Sequence, residues 1–106
     1  MGNFIQVTTT ASTKDEAAKI AAALLEQRLA ACVQVVGPIE SHYWWKGKIE
    51  RSGEWLCIIK TVRKRYPAVE SAILANHSYE VPEIVACPID GGSEPYLDWL
   101  HRETEE

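Results

Sequence analysis

The sequence predicts an α+β domain in which two β-α-β units share a central hairpin, with the helices on one face of a four-stranded sheet. Three observations carry this. Runs rich in β-branched and aromatic residues alternate with helical periodicity in the order strand, helix, strand, strand, helix, strand, helix. The central pair of strands is joined directly by a short turn, and with only four strands a doubly wound parallel sheet is excluded. At 106 residues, 46% hydrophobic and 25% charged, the chain has material for one core. Residues 1–106 are therefore expected to form a single domain.

Phe4 to Thr10 is rich in β-branched residues and reads as the first strand. Thr13-Lys14-Asp15-Glu16 forms a capping box, in which the Thr13 hydroxyl takes the N–H of Glu16 and the Glu16 carboxylate reaches back. Ala17, Ile20, Ala21, Leu24 and Leu25 follow at helical spacing, so the first helix is expected to end near Ala30. From Cys32 the period changes to that of a strand. Gly37-Pro38 predicts a bulge or bend, because proline cannot donate to a central ladder. The strand resumes through Tyr43, Trp44 and Trp45 and turns at Lys46-Gly47. The return strand runs from Lys48 to Val62, with Ser52-Gly53 as a second bulge or an alternative turn. Pro67 opens a second helix expected over 68–77, with Val69, Ala72 and Ile73 inward. Glu83 to Cys87 reads as a short buried strand. Ser93 is the expected cap of a third helix carrying Tyr96, Leu97, Trp99 and Leu100.

Geometry adds a requirement. A compact domain of this length has a diameter of roughly 33 Å, whereas a strand from Ala31 to Trp45 spans ~50 Å. The ribbon tip is therefore expected to project, with Trp44 and Trp45 facing opposite ways. A two-sided aromatic ribbon in water is an aggregation hazard, and partner subunits remove it. Tyr43, Trp44 and Trp45 are accordingly expected in a subunit interface.

Charge and cysteines bound the function. The net charge is −4, with 15 acidic and 11 basic residues, and non-specific nucleic-acid binding needs a basic footprint instead. Arg63-Lys64-Arg65 is the local exception and reads as a solvated turn. No apolar run approaches the ~18 residues of a membrane span, and no secretory leader is visible. Cys32, Cys57 and Cys87 are odd in number and widely spaced. They read as reduced intracellular thiols, with the cytoplasm the expected compartment.

Five motifs together resemble the divalent-cation tolerance (CutA) family: Arg28-Leu29-Ala30-Ala31-Cys32-Val33, Tyr43 to Gly47, Lys60-Thr61, His77-x-Tyr79-x-x-Pro82-Glu83-Ile84, and Tyr96-Leu97-Asp98-Trp99. They cover nearly the whole chain in matching order. Gln34 and Ser78 depart from the usual Asn and Pro. The resemblance implies a ferredoxin-like subunit in a homotrimer, with the long ribbons engaging neighbours, and a link to copper and other divalent cations. It implies no settled catalytic activity. It also implies metal ligands at positions that here are Thr9, Asn76 and His77, so only His77 can serve. By analogy of fold with the trimeric nitrogen-regulatory PII proteins, the alternative is a sensor holding a metabolite between subunits.

The candidate residues follow. His77 is the expected ligand of a weak metal site, with Cys32 second; no cofactor is required, and copper or another divalent cation is the ligand considered. Against this, the imidazole of His77 is read as a cap on the second helix. Lys60, Tyr79 and Glu83 stand at strand or loop ends where an intersubunit cleft is expected, and an ordinary Lys60–Glu83 ion pair is the plainer reading. The cysteines read as small hydrophobes without a basic neighbour, which ranks an enzyme using Cys or His last.

Overall fold

The computed structural model describes residues 3–105. The elements are β1 (Phe4–Ala11), α1 (Lys14–Glu26), β2 (Cys32–Trp45), β3 (Lys48–Val62), α2 (Tyr66–Ala75), β4 (Val85–Pro88) and α3 (Glu94–Glu103). The strands pair antiparallel in the order β2-β3-β1-β4, the ferredoxin-like arrangement. The two interior strands are β3 and β1, and their alternation builds the core. Ile5, Val7 and Ala11 of β1 and Cys57 and Ile59 of β3 turn to one face. There they meet Ala17, Ile20 and Leu24 of α1 and Val69 and Ile73 of α2. Each fully buried Ile, Leu or Val contributes roughly 1.5–3 kcal/mol.

The start of α1 is capped as expected, with Thr13 Oγ1 accepting from Glu16 N at 3.1 Å. The Glu16 carboxylate, however, reaches past Thr13 to Ser12 N, also at 3.1 Å. The helix stops at Glu26 rather than near Ala30. Arg28 adopts the left-handed conformation, φ 57. Its N–H then bonds Leu25 O, and Leu29 N–H bonds Leu24 O at 2.9 Å. This is a Schellman termination, closed by the buried pair Leu24 and Leu29, with arginine where glycine is usual. Leu25 lies on the exposed edge of the helix instead of in its inward stripe.

The ribbon has the bounds expected of it. Lys46 and Gly47 both have positive φ, 52 and 80, the requirement of a type I′ two-residue hairpin. A register shift between Val36 and Ile39 marks the bulge at Gly37-Pro38, whose peptide is cis. A Cβ on Gly37 would lie 2.6 Å from the Trp55 ring, so only glycine fits. Ser52 and Gly53 pair regularly with Ser41 and Glu40, so no second bulge or turn forms there. The long axis of the molecule is 44 Å, beyond the roughly 33 Å of a compact domain.

Other expectations are corrected. The second helix is Tyr66–Ala75, preceded by a 3-10 turn over Arg63–Arg65, rather than 68–77. Strand β4 begins at Val85 and is exposed along its length, not buried. Val85 and Cys87, level with Thr8 and Gln6, lie on the sheet face that α1 and α2 do not cover. On that face Val36 and Val85 are exposed, and Leu56 and Ile58 are half-buried. Ser93 caps α3 by backbone position without a side-chain bond. Helix α3 reaches the Cys32–Lys60 end, where the Lys60 ammonium stands 5.9 Å from the Tyr96 ring centroid. Arg28 to Glu103 at 2.8 Å and Arg65 Nε to Thr104 O at 2.9 Å anchor its far end.

Candidate ligand groove

A groove of about 850 Å³ lies between the ribbon tip and the loop that follows α2. Residues 41–45 form one wall, residues 78–83 the other, and Thr10 and Glu54 lie between them. Its shape depends on how the loop is held. Asn76 closes α2 by donating to Ala72 O at 2.8 Å. The next residue, His77, turns its ring away from the helix: Nε2–H donates to Thr10 O at 2.6 Å, and Nδ1 accepts from Tyr79 N–H at 3.1 Å. A carbonyl on one side and an N–H on the other require the neutral Nε2–H tautomer. The imidazole therefore ties the loop to β1, and its ring does not cap α2. Glu16 adds a second tie by accepting from Ser78 N at 2.8 Å. Burial raises the Glu16 pKa, but hydrogen bonds from Ser78 and Ser12 outweigh it, and the net shift is downward.

These ties aim Tyr79 into the groove. Its ring packs on His77 with centroids 4.8 Å apart, and its hydroxyl donates to Glu54 Oε2 at 2.7 Å. Glu54 is only 5% exposed. Burial, then the hydrogen bond to the Glu54 carboxylate and its charge, push the Tyr79 phenol well above its ordinary range. On the opposite wall, Tyr43 Oη and Ser52 Oγ are 3.1 Å apart. Lys46 Nζ lies 5.7 Å from the Trp45 ring centroid, and Trp44 is 72% exposed.

Five of the residues singled out from the sequence thus share one groove: Tyr43, Trp44, Trp45, Tyr79 and Glu83. Lys60 does not join them. It pairs across the sheet with Cys32 and donates to Gln34 Oε1 at 3.0 Å rather than meeting Glu83. Cys32 and His77 do not converge either. Cys32 is level with Lys60 and Gln6, whereas His77 bonds Thr10, four residues further along β1 or roughly 13 Å. Both ring nitrogens of His77 are already engaged. Cys57 is buried, and burial, then the charge of Glu16, push its thiol up to about 11. Thr9 presents a buried hydroxyl with no partner. Among the described residues no three His, Cys, Asp or Glu side chains are placed to hold a metal ion. The residues of one subunit therefore do not fit the copper site that the resemblance implies.

Glu54 was missed in the sequence. Its signal was a carboxylate on the same strand face as Leu56 and Ile58, where an apolar residue is expected. Glu16 was read only as a cap, although it also fixes the loop.

The fold and groove define a class first: a split β-α-β domain with a projecting ribbon, an incompletely covered sheet face and a groove at the ribbon tip. The chain matches the family described as CutA1 divalent ion tolerance protein over residues 5–103, and it belongs to that family. It is 44% identical over 105 residues to the divalent-cation tolerance protein CutA of Archaeoglobus fulgidus, covering 99% of this chain and 100% of that one. Protein CutA 1, chloroplastic, of Oryza sativa is 43% identical over 102 residues, 96% of this chain. The chain spans 58% of that relative's length. The structure of the periplasmic divalent cation tolerance protein CutA from Archaeoglobus fulgidus superposes with TM-score 0.93 at 41% identity, covering 96% of this chain and 99% of that one. CutA1 from Oryza sativa gives TM-score 0.94 at 42% identity, covering 98% and 95%. The family description and the Archaeoglobus fulgidus names speak of divalent ion or cation tolerance, and none of these names specifies a reaction. No helix among the described residues is long and apolar enough to cross a membrane.

Proposed function

We propose that this chain is a non-enzymatic, homotrimeric protein of divalent-cation tolerance, with copper the cation concerned. The observation that carries the assembly is the apolar surface left on one subunit. Val36 and Val85 on the open sheet face, and Trp44 and Ile49 paired at the ribbon tip, are all exposed. Exposed apolar side chains on the open sheet face and on the ribbon tip are marks of an interface. The count of three comes from the family resemblance. Threefold symmetry brings three copies of one side chain together, which is the route by which a chain lacking a site in one subunit binds a metal. Any copper bound through His77 must first break the Tyr79 N–H bond, so affinity is weak. Three free cysteines favour the cytoplasm, and the acidic chain disfavours nucleic acid as a partner.

Titration of Cu²⁺ into the purified protein tests the metal link. Weak binding whose signal is mostly lost in His77→Ala is expected. Tight binding that survives the substitution refutes the His77 assignment and directs attention to Cys32. A second reading, a sensor holding a small molecule at the subunit clefts, is favoured by the groove that Tyr79 and Glu83 line.

A further inference from the structure

We propose that Glu54 of one copy and Lys60 of the next form an ion pair across the subunit contact, repeated at every contact of the assembly. The inference rests on the assembly proposed above and specifies which part of the open face meets which.

Glu54 and Lys60 share one face of β3, because positions 54, 56, 58 and 60 alternate with the inward Cys57 and Ile59. It is the face that α1 and α2 leave uncovered. Six residues of strand separate the two by ~20 Å, so they cannot pair within one chain. Between them the face carries no charge: Leu56 and Ile58 stand on β3, Val36 on β2, Thr8 on β1 and Val85 on β4. Lys48 and Glu50 lie further out on the same strand, where both are exposed and keep their water.

Neither charge is answered by its own chain. Glu54 is 5% exposed, and carboxylates buried to this degree are ordinarily paired with a cation. Its Oε2 accepts from the Tyr79 hydroxyl, but no Lys, Arg or His pairs with Glu54 among the described residues. Oε1 accepts no hydrogen bond and is not sealed off, since the buried side-chain atom without a partner is Thr9 Oγ1. Lys60 is half-buried. Its ammonium donates to Gln34 Oε1 at 3.0 Å and stands 5.9 Å from the Tyr96 ring centroid, both neutral groups. No Asp or Glu pairs with it among the described residues.

Covering this face with further copies takes both charges out of water, and a charge buried without a counterion is strongly unfavourable. Contacts in a threefold assembly run head to tail, so different patches of two copies meet. A register that sets Glu54 against Lys60 of the partner subunit answers both charges at once. Registers that gather identical residues set like charges together. The face therefore carries, at its two ends, the two halves of one contact.

A double-mutant cycle on the intact protein tests the pair, with Glu54→Gln, Lys60→Gln and the two combined. Glu54→Gln keeps an oxygen for the Tyr79 hydroxyl and Lys60→Gln keeps a polar chain, so neither puts the fold at risk. Light scattering first gives the mass of the unmodified protein. It is then repeated over a dilution series, in urea at the concentration that half-dissociates that protein at micromolar concentration. Each single substitution should raise the protein concentration needed for half-assembly at least tenfold. The combined variant should need no more than the worse single one, because the second substitution has nothing left to break. If neither single substitution shifts assembly, or if their effects multiply in the combined variant, the pair is overturned while the trimer stands. If the unmodified protein is a monomer without urea, the assembly fails and the pair with it.

Discussion

Replacing Tyr79 by Phe removes one oxygen atom and leaves the ring on His77 in place. What is lost is the 2.7 Å hydrogen bond to Glu54 Oε2, the single hydrogen bond that carboxylate accepts among the described residues. A hydrogen bond to a charged group contributes about 1.5–3 kcal/mol. The upper half of that range is expected here, because Glu54 is 5% exposed and gains little water in exchange. A pH signature accompanies the loss. The Tyr79 phenol is raised, by burial first and then by Glu54. Its contribution is therefore fully present below the ~10 of an unfolded tyrosine and is lost as the pH rises beyond it. Urea unfolding at one fixed protein concentration, at pH 7 and from pH 9 to 11, measures both effects. Tyr79→Phe should be less stable by about 1.5–3 kcal/mol at pH 7, and the gap should narrow as the pH rises above ~10. A difference below about 0.5 kcal/mol at pH 7, with parallel alkaline limbs, refutes the role given to the Tyr79–Glu54 pair.

Two further outcomes follow from the tip and the loop. Trp44→Ala removes a ring that is 72% exposed in one subunit. If neighbours bury it, the loss is ~3–5 kcal/mol and melting becomes dependent on protein concentration; a surface ring costs less than about 0.5 kcal/mol. Melting curves at several concentrations distinguish the two. The Glu16 carboxyl has a lowered pKa in the folded chain, so its contribution is present above the unfolded carboxylate value and lost as the pH falls through the folded one. Glu16→Gln should flatten the fall in stability as the pH drops below the unfolded carboxylate value, and an unchanged acid limb in that variant contradicts the loop tie.

The bounds, turn and first bulge of the ribbon were legible because their determinants are local: the strand pattern along Cys32–Trp45, positive φ at Lys46-Gly47 and the Gly37-Pro38 break. The end of α1 was not, because Arg28 takes the left-handed position that glycine usually announces. The apolar composition of β4 indicated burial, yet the strand is exposed along its length, because composition does not record which face of a sheet the helices cover. Tyr79, Glu83 and the tip aromatics were identified as residues at element ends, and they do share a groove. Lys60 was grouped with them only because it also stands near a strand end. Position along a strand does not fix which end of the sheet a loop reaches. Glu54 carried the least signal, because its partner Tyr79 is 25 residues away and is brought to it by the ties from His77 and Glu16.

The claim on which the account turns is that the open face around Val36 and Val85 and the tip around Trp44 and Ile49 are covered by two further copies of the chain. Multi-angle light scattering of the purified protein down to low micromolar concentration measures this directly. The predicted result is a mass three times the 11.9 kDa of one chain, with no monomer. A stable, fully folded monomer would leave that apolar surface in water and contradict the account.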